Sequence, residues 1–174
     1  LGGTFADLGL ALGAKLPRGT LRFDPVAGLF GLVPARAGGP LAEEEVRALL
    51  DQALDRPALV AALGVPDLEP RASILQPGLD GVAAPAVPEW AAAVLARAKP
   101  GRIAPLAERR PALIAEAERL FGDERPTIRV ALPDGPGAAI VLERLRADWG
   151  ALGLTVEPAG RGAPADLRFV DLVA

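Results

Sequence analysis

Eight prolines, Pro66, Pro70, Pro77, Pro85, Pro88, Pro100, Pro105 and Pro111, punctuate one stretch of this chain. Each removes a backbone donor, clashes with the carbonyl four residues back and biases its predecessor away from helix. On that pattern no long element survives between residues 65 and 111. Only Glu89–Ala98 has room for a helix, begun at Pro88. The stretch reads as a long loop hugging the surface. Ile74, Leu75, Leu79, Trp90 and Ile103 make it too apolar for a disordered linker. Regular structure must therefore come from the flanks.

On the amino-terminal flank, residues 1–19 read as a strand end followed by a loop around Gly2, Gly3 and Gly13. Leu21–Asp24 and Leu29–Val33 suit two strands, or one strand interrupted by Pro25 and Gly28. The period then changes. Leu41, Val46, Leu49, Leu50 and Ala53 follow helical spacing behind Glu43, Glu44 and Glu45, acids that suit the positive end of a helix dipole. Arg47 and Asp51, four apart, are placed to pair. Asp55 can cap a second helix, with Pro57 in its first turn and Gly64 just past its end. The result is a helical hairpin without the basic residues that a DNA-reading version needs.

On the other flank a helix over Ala112–Phe121 carries Leu113, Ile114, Ala117, Leu120 and Phe121, with Gly122 as its stop. Thr127–Leu132 is a strand, Ala138–Leu152 an amphipathic helix, and Leu154–Glu157 a second strand. Together they predict one βαβ crossover with parallel strands and a right-handed connection. Asp166–Val170 offers a further strand.

Chemistry is limited by what is missing. The 174 residues include no His, Cys, Met, Tyr or Asn, and Ser73 is the only serine. A Ser–His or Cys–His nucleophile therefore has no base, and a zinc site of imidazole and thiolate cannot be built. Acid–base work falls to carboxylates, Lys15 and Lys99, or permanently charged arginines. Catalysis would need paired carboxylates, such as Asp134 or Glu157, facing one pocket about 5–10 Å apart. Net charge is −3 with both signs interspersed, so no basic face for nucleic acid or anionic lipid is expected. No apolar run reaches the ~20 residues that span a bilayer. Only 4% of residues are aromatic, so the core must be aliphatic.

Three local features have a plain reading beside a functional one. Asp134-Gly135-Pro136-Gly137 sits where a phosphate loop would, but lacks the Lys-Ser/Thr ending and the third glycine of the dinucleotide fingerprint. It reads as a turn feeding a helix. Glu43–Glu45 point different ways around a helix and read as a solvated first turn, not a cation site. Trp149 lies at helical spacing among aliphatics and reads as core, whereas Trp90 either packs the loop or stacks a ligand.

The segment Pro40-Leu41-Ala42-Glu43-Glu44-Glu45-Val46-Arg47, continued by Ala53-Leu54-Asp55-Arg56 and Leu59-Val60, resembles the helical signature of the family 5 extracellular solute-binding proteins. These are the oligopeptide-, dipeptide- and nickel-binding group. Leu21-Arg22-Phe23-Asp24 resembles a family strand that usually ends in Asn, so Asp24 departs from it. Ala112–Gly122, Thr127–Leu132 and Trp149–Glu157 are similar to the segments that follow. The resemblance implies an α/β fold: a small mixed sheet with a βαβ unit, a helical hairpin and a long Pro-rich loop, forming a periplasmic-binding-protein-like lobe. Residues 1–20 would be a crossover from another lobe, and 21–174 an incomplete carboxy-terminal lobe. Leu1 is not a Met and Ala174 falls inside an apolar run, so both ends are expected to lie within a longer polypeptide.

The implied role is capture of a peptide or similar small-molecule solute in the periplasm and its delivery to an ABC permease in the inner membrane. The implied protein is a monomer and a non-enzyme, with no cofactor, no metal and no nucleic-acid partner. Relatives carry an acidic and an aromatic residue after the strand resembling Asp166–Val170. The usual Trp and Asp-Pro pattern is missing here, so Arg168, Val170 and Asp171 mark the expected cleft neighbourhood by location. Two alternatives remain at this point: a solute-independent interaction lobe of the same fold, and a carboxylate-based hydrolase.

Overall fold

The computed structural model describes residues 28–65, 68–70, 105–160 and 162–173. Outside them lie the expected strand Leu21–Asp24, the crossover over 1–20, the helix Glu89–Ala98, Trp90 and most of the Pro-rich stretch. The elements in chain order are β1 (Gly28–Pro34), α1 (Glu44–Ala53), α2 (Arg56–Leu63), α3 (Leu106–Phe121), β2 (Thr127–Ala131), α4 (Pro136–Gly150), β3 (Thr155–Pro158) and β4 (Leu167–Val173).

The helical hairpin forms as the sequence predicts. Val46, Leu49, Leu50 and Ala53 bury one stripe of α1, and the acids Glu43–Glu45 stay exposed. Asp55 caps α2, its carboxylate accepting from the Ala58 amide at 3.0 Å, with Pro57 in the first turn. Gly64 ends α2 at φ 62°, left-handed backbone that a Cβ would oppose. Arg47, expected to pair with Asp51, donates to the carbonyls of Leu41 and Ala42 at 2.8 and 2.7 Å. Asp51 takes Arg56.

The helix α3 corrects the sequence reading. It starts at Leu106, not Ala112, and carries Pro111 inside it. Pro111 is exposed, so its ring meets no packed neighbour across the interface. Tertiary contact holds the first turns: Leu106 packs against the core, and Arg109 donates to the Gln52 carbonyl at 2.9 Å. Propensity is overridden where such contacts exist.

The four strands form one mixed sheet in the order β1-β4-β2-β3. β2 runs parallel to both β3 and β4, and β4 is antiparallel to β1. The βαβ unit β2–α4–β3 is thus present with parallel strands. On β2, Ile128 and Val130 are fully buried while Arg129 faces out, the alternation of a sheet with one covered face. β3 is an edge strand among the described residues, and Pro158 in it costs no internal ladder bond.

The core lies between the covered face and the helices. It joins Leu49, Leu50, Leu113, Ala117, Ile128, Val130, Leu145, Trp149, Val156 and Leu167, and is aliphatic apart from Trp149. That tryptophan is a core residue, and its indole N–H donates to the Leu50 carbonyl at 3.0 Å, pinning α4 to α1.

Candidate functional site

The connection from β2 leads through α4 to β3 on one side, whereas β4 lies on the other side of β2. β2 is thus flanked on both sides by strands parallel to it. Loops diverge outside the carboxyl ends of two such strands and leave a crevice, the usual binding location in open α/β sheets. The matching place here holds Leu132–Gly135, the start of α4 and the part of β4 beyond its pairing with β2.

β4 pairs with β2 only at its start, Leu167 opposite Val130 and Arg168 opposite Ala131. From Phe169 onward its only partner among the described strands is β1, and the two run as a ribbon. Arg168 therefore stands at the lip of the crevice and is exposed. Val170, on the same face two residues on, is half-buried and lies opposite Gly31. A Cβ at Gly31 would meet Val170 Cγ2 at an ordinary 3.7 Å. Asp171 is register partner to Phe30. Phe30 and Phe169 stack with ring centroids 6.2 Å apart and an interplanar angle of 23°, and Phe30 keeps 37% of its surface exposed. The sequence reading did not single out this aromatic pair, although both residues lie on runs read as strands.

Among the described residues two carboxylates are buried, Asp148 and Asp166, and the sequence reading assigned neither of them a role. Asp166 accepts from the Arg129 amide and from Arg36 Nε, both at 2.9 Å, and also takes Arg36 Nη2. Its own amide donates to the Arg129 carbonyl, and its carbonyl accepts from Ala35, each at 2.8 Å. It clasps β1, β2 and β4 together just before the rung that pairs Leu167 with Val130. Asp148 accepts from the Asp55 amide at 2.9 Å and from Arg144 Nη2 at 2.5 Å, fixing the start of α2 to α4. Both carboxylates are consumed by structural donors. A hint for Asp148 was present in the sequence: it follows Arg144 by four residues, on the stripe that carries Leu145 and Trp149.

Neither acid weighed for catalysis is buried. Glu157 is exposed on the open face of β3, 4.0 Å from Arg129, and Asp134 is exposed in the loop before α4. Among the described residues no group of three or more His, Cys, Asp or Glu is placed to hold a metal ion. In the same residues no helix is long and apolar enough to cross a membrane.

No model of a known protein family matches the chain, and no curated protein matches it. Among solved structures it is similar to Haemophilus influenzae OppA, crystallised as a complex with RPPGFSPFR, with a TM-score of 0.56 and 15% sequence identity. That likeness covers 84% of this chain but only 29% of the other, so the chain spans under a third of OppA's length. At this identity the shared property is the fold. The chain is a mixed α/β unit whose fold is similar to that of part of OppA.

Proposed function

We propose that the chain is one lobe of a solute-binding protein that captures a peptide or similar small solute and hands it to an ABC permease in the inner membrane. The pairing of Gly28 with Val173 carries this reading. Among the described residues the unit's first and last strands, β1 and β4, thus lie side by side, and this rung is at the carboxyl end of β4. On this reading further chain joins the unit through that ribbon, which lets the unit swing as a body. Further support comes from the neighbour named above, whose structure was determined with a peptide bound.

On this reading Arg168, Val170 and Asp171 border the cleft and no residue performs chemistry. Capture is lobe closure, driven by contacts the solute makes only in the closed state. One lobe offers half of those contacts. Calorimetry with RPPGFSPFR should give no micromolar binding for residues 1–174 alone. The full-length protein should release a small solute on native mass spectrometry. Micromolar peptide binding by the isolated chain, or a full-length protein that never carries or binds a solute, would refute the reading.

A further inference from the structure

The turn between β2 and α4 carries an aspartate followed by a glycine, and Pro133, Asp134 and Gly135 are all exposed. Gly135 has φ 137° and ψ 171°, backbone that a Cβ would oppose, so the geometry of the turn asks for glycine there. Its carbonyl accepts from the Ala139 amide at 3.3 Å and opens the first turn of α4. Its own amide has no backbone acceptor among the described residues. The nitrogen is therefore not tied into the fold, unlike most backbone donors in an ordered chain.

An aspartate carboxyl lies within reach of the next residue's amide nitrogen, and glycine, lacking a Cβ, hinders that approach least. We propose that Asp134 and Gly135 form a site of spontaneous isomerisation, at which the peptide link moves from the α-carbonyl of Asp134 to its side chain. The Gly135 nitrogen bonds to Cγ of the Asp134 carboxyl in its protonated form. The amide proton and the carboxyl hydroxyl leave together as one water, closing a succinimide ring. A water then adds at the α-carbonyl carbon, the bond from that carbon to nitrogen breaks, and the nitrogen regains a proton. The glycine is left joined through Cγ. Water is the only co-reactant, nothing is oxidised or reduced, and the mass is unchanged.

The isoaspartyl product has one more methylene in the main chain and carries its free carboxylate on Cα. The helix α4 cannot shift to take up that length, because Gly137, Ala138, Val141, Leu145 and Trp149 are buried in a close-packed core. The change stays within Pro133, Asp134 and Gly135, at the carboxyl end of β2, and the fold behind it persists. The site stands whether or not the chain serves as a solute-binding lobe.

The test is to hold the purified chain at neutral pH and physiological temperature for weeks, then map it by proteolysis, chromatography and electron-transfer fragmentation. The peptide bearing Asp134 should divide with time into two forms of equal mass, the growing one giving the fragments of an isoaspartyl bond. A transient form lighter by one water should precede it, and helical circular dichroism should hold throughout. Asp134→Glu, whose ring would be one atom larger, should lose the second form. Asp134→Asn should reach the same succinimide by releasing ammonia, and give both products faster. Both substitutions fall at an exposed position and leave the core untouched. An Asp134 peptide that stays single in the folded chain while the chain in urea converts would overturn the proposal. So would a second form that persists in Asp134→Glu, or loss of helix in step with conversion.

Discussion

Asp166 shows how much one side chain can organise. Its carboxylate and its peptide group together engage Arg36, Ala35 and Arg129, which lie at the end of β1 and within β2. Replacing it with alanine strands the Arg129 amide and removes the acceptor of Arg36. Asp166→Ala should destabilise the fold by about 1–3 kcal/mol, read as a lower urea midpoint with unchanged slope. Asp166 was illegible in the sequence, and Asp148 showed only its spacing from Arg144, for one physical reason. Burial of a carboxylate depends on donors brought from remote elements, here 130 and 93 residues away. The Asp55 cap was legible because its donor, the Ala58 amide, is three residues away.

At the scale of elements, local signals were read correctly wherever they governed the outcome. The hairpin α1–α2 and the unit β2–α4–β3 follow from periodicity, caps and turn residues within a few positions. The start of α3 did not, because Leu106 and Arg109 are held by α1 and the core rather than by helix propensity. Pro111 remains a defect in that helix, removing the bond its amide would make to Ala107. Pro111→Ala should therefore raise the melting temperature, with a gain of up to about 3 kcal/mol. A lowered melting temperature would mean that proline's restraint of the unfolded chain outweighs the lost bond.

The same helix carries an exposed ion-pair cluster. Arg119 bonds Glu116 at 2.6 Å and Glu45 of α1 at 2.7 Å. Its hydrogen bond to Glu116 lowers that carboxyl below the ordinary value and raises the arginine. The sign follows from linkage: a carboxyl with a lowered folded-state pKa adds stability above its unfolded value and loses it as pH falls through the folded one. Both groups are solvated, so the effect is small and screened by salt. Glu116→Gln should leave neutral-pH stability nearly unchanged while flattening its acid dependence slightly, measured by urea unfolding from neutral to acid pH.

For the whole molecule, one core ties sheet and helices into a single unit. Leu49 of α1, Leu113 of α3, Val130 of β2 and Trp149 of α4 belong to the same buried cluster. Unfolding should be one cooperative transition. In a Trp90→Phe background, loss of Trp149 emission and of helical circular dichroism should coincide in urea; separated midpoints would show that the hairpin melts by itself. The fold class was readable from the sequence because alternating helix and strand periods define it. The crevice was not, because it arises from strand order, and β1 pairs with β4 across the length of the chain. No periodicity reports that pairing.

The ribbon of β1 and β4 has a mechanical consequence. Among the described residues, Gly28 and Val173 form its outermost rung. Tension applied through them opens one pair of hydrogen bonds at a time, as a zipper does, instead of loading the whole ladder in shear. Such a junction yields at low force and closes again readily, while the core behind Val130 and Leu167 bears no load until the ribbon has opened.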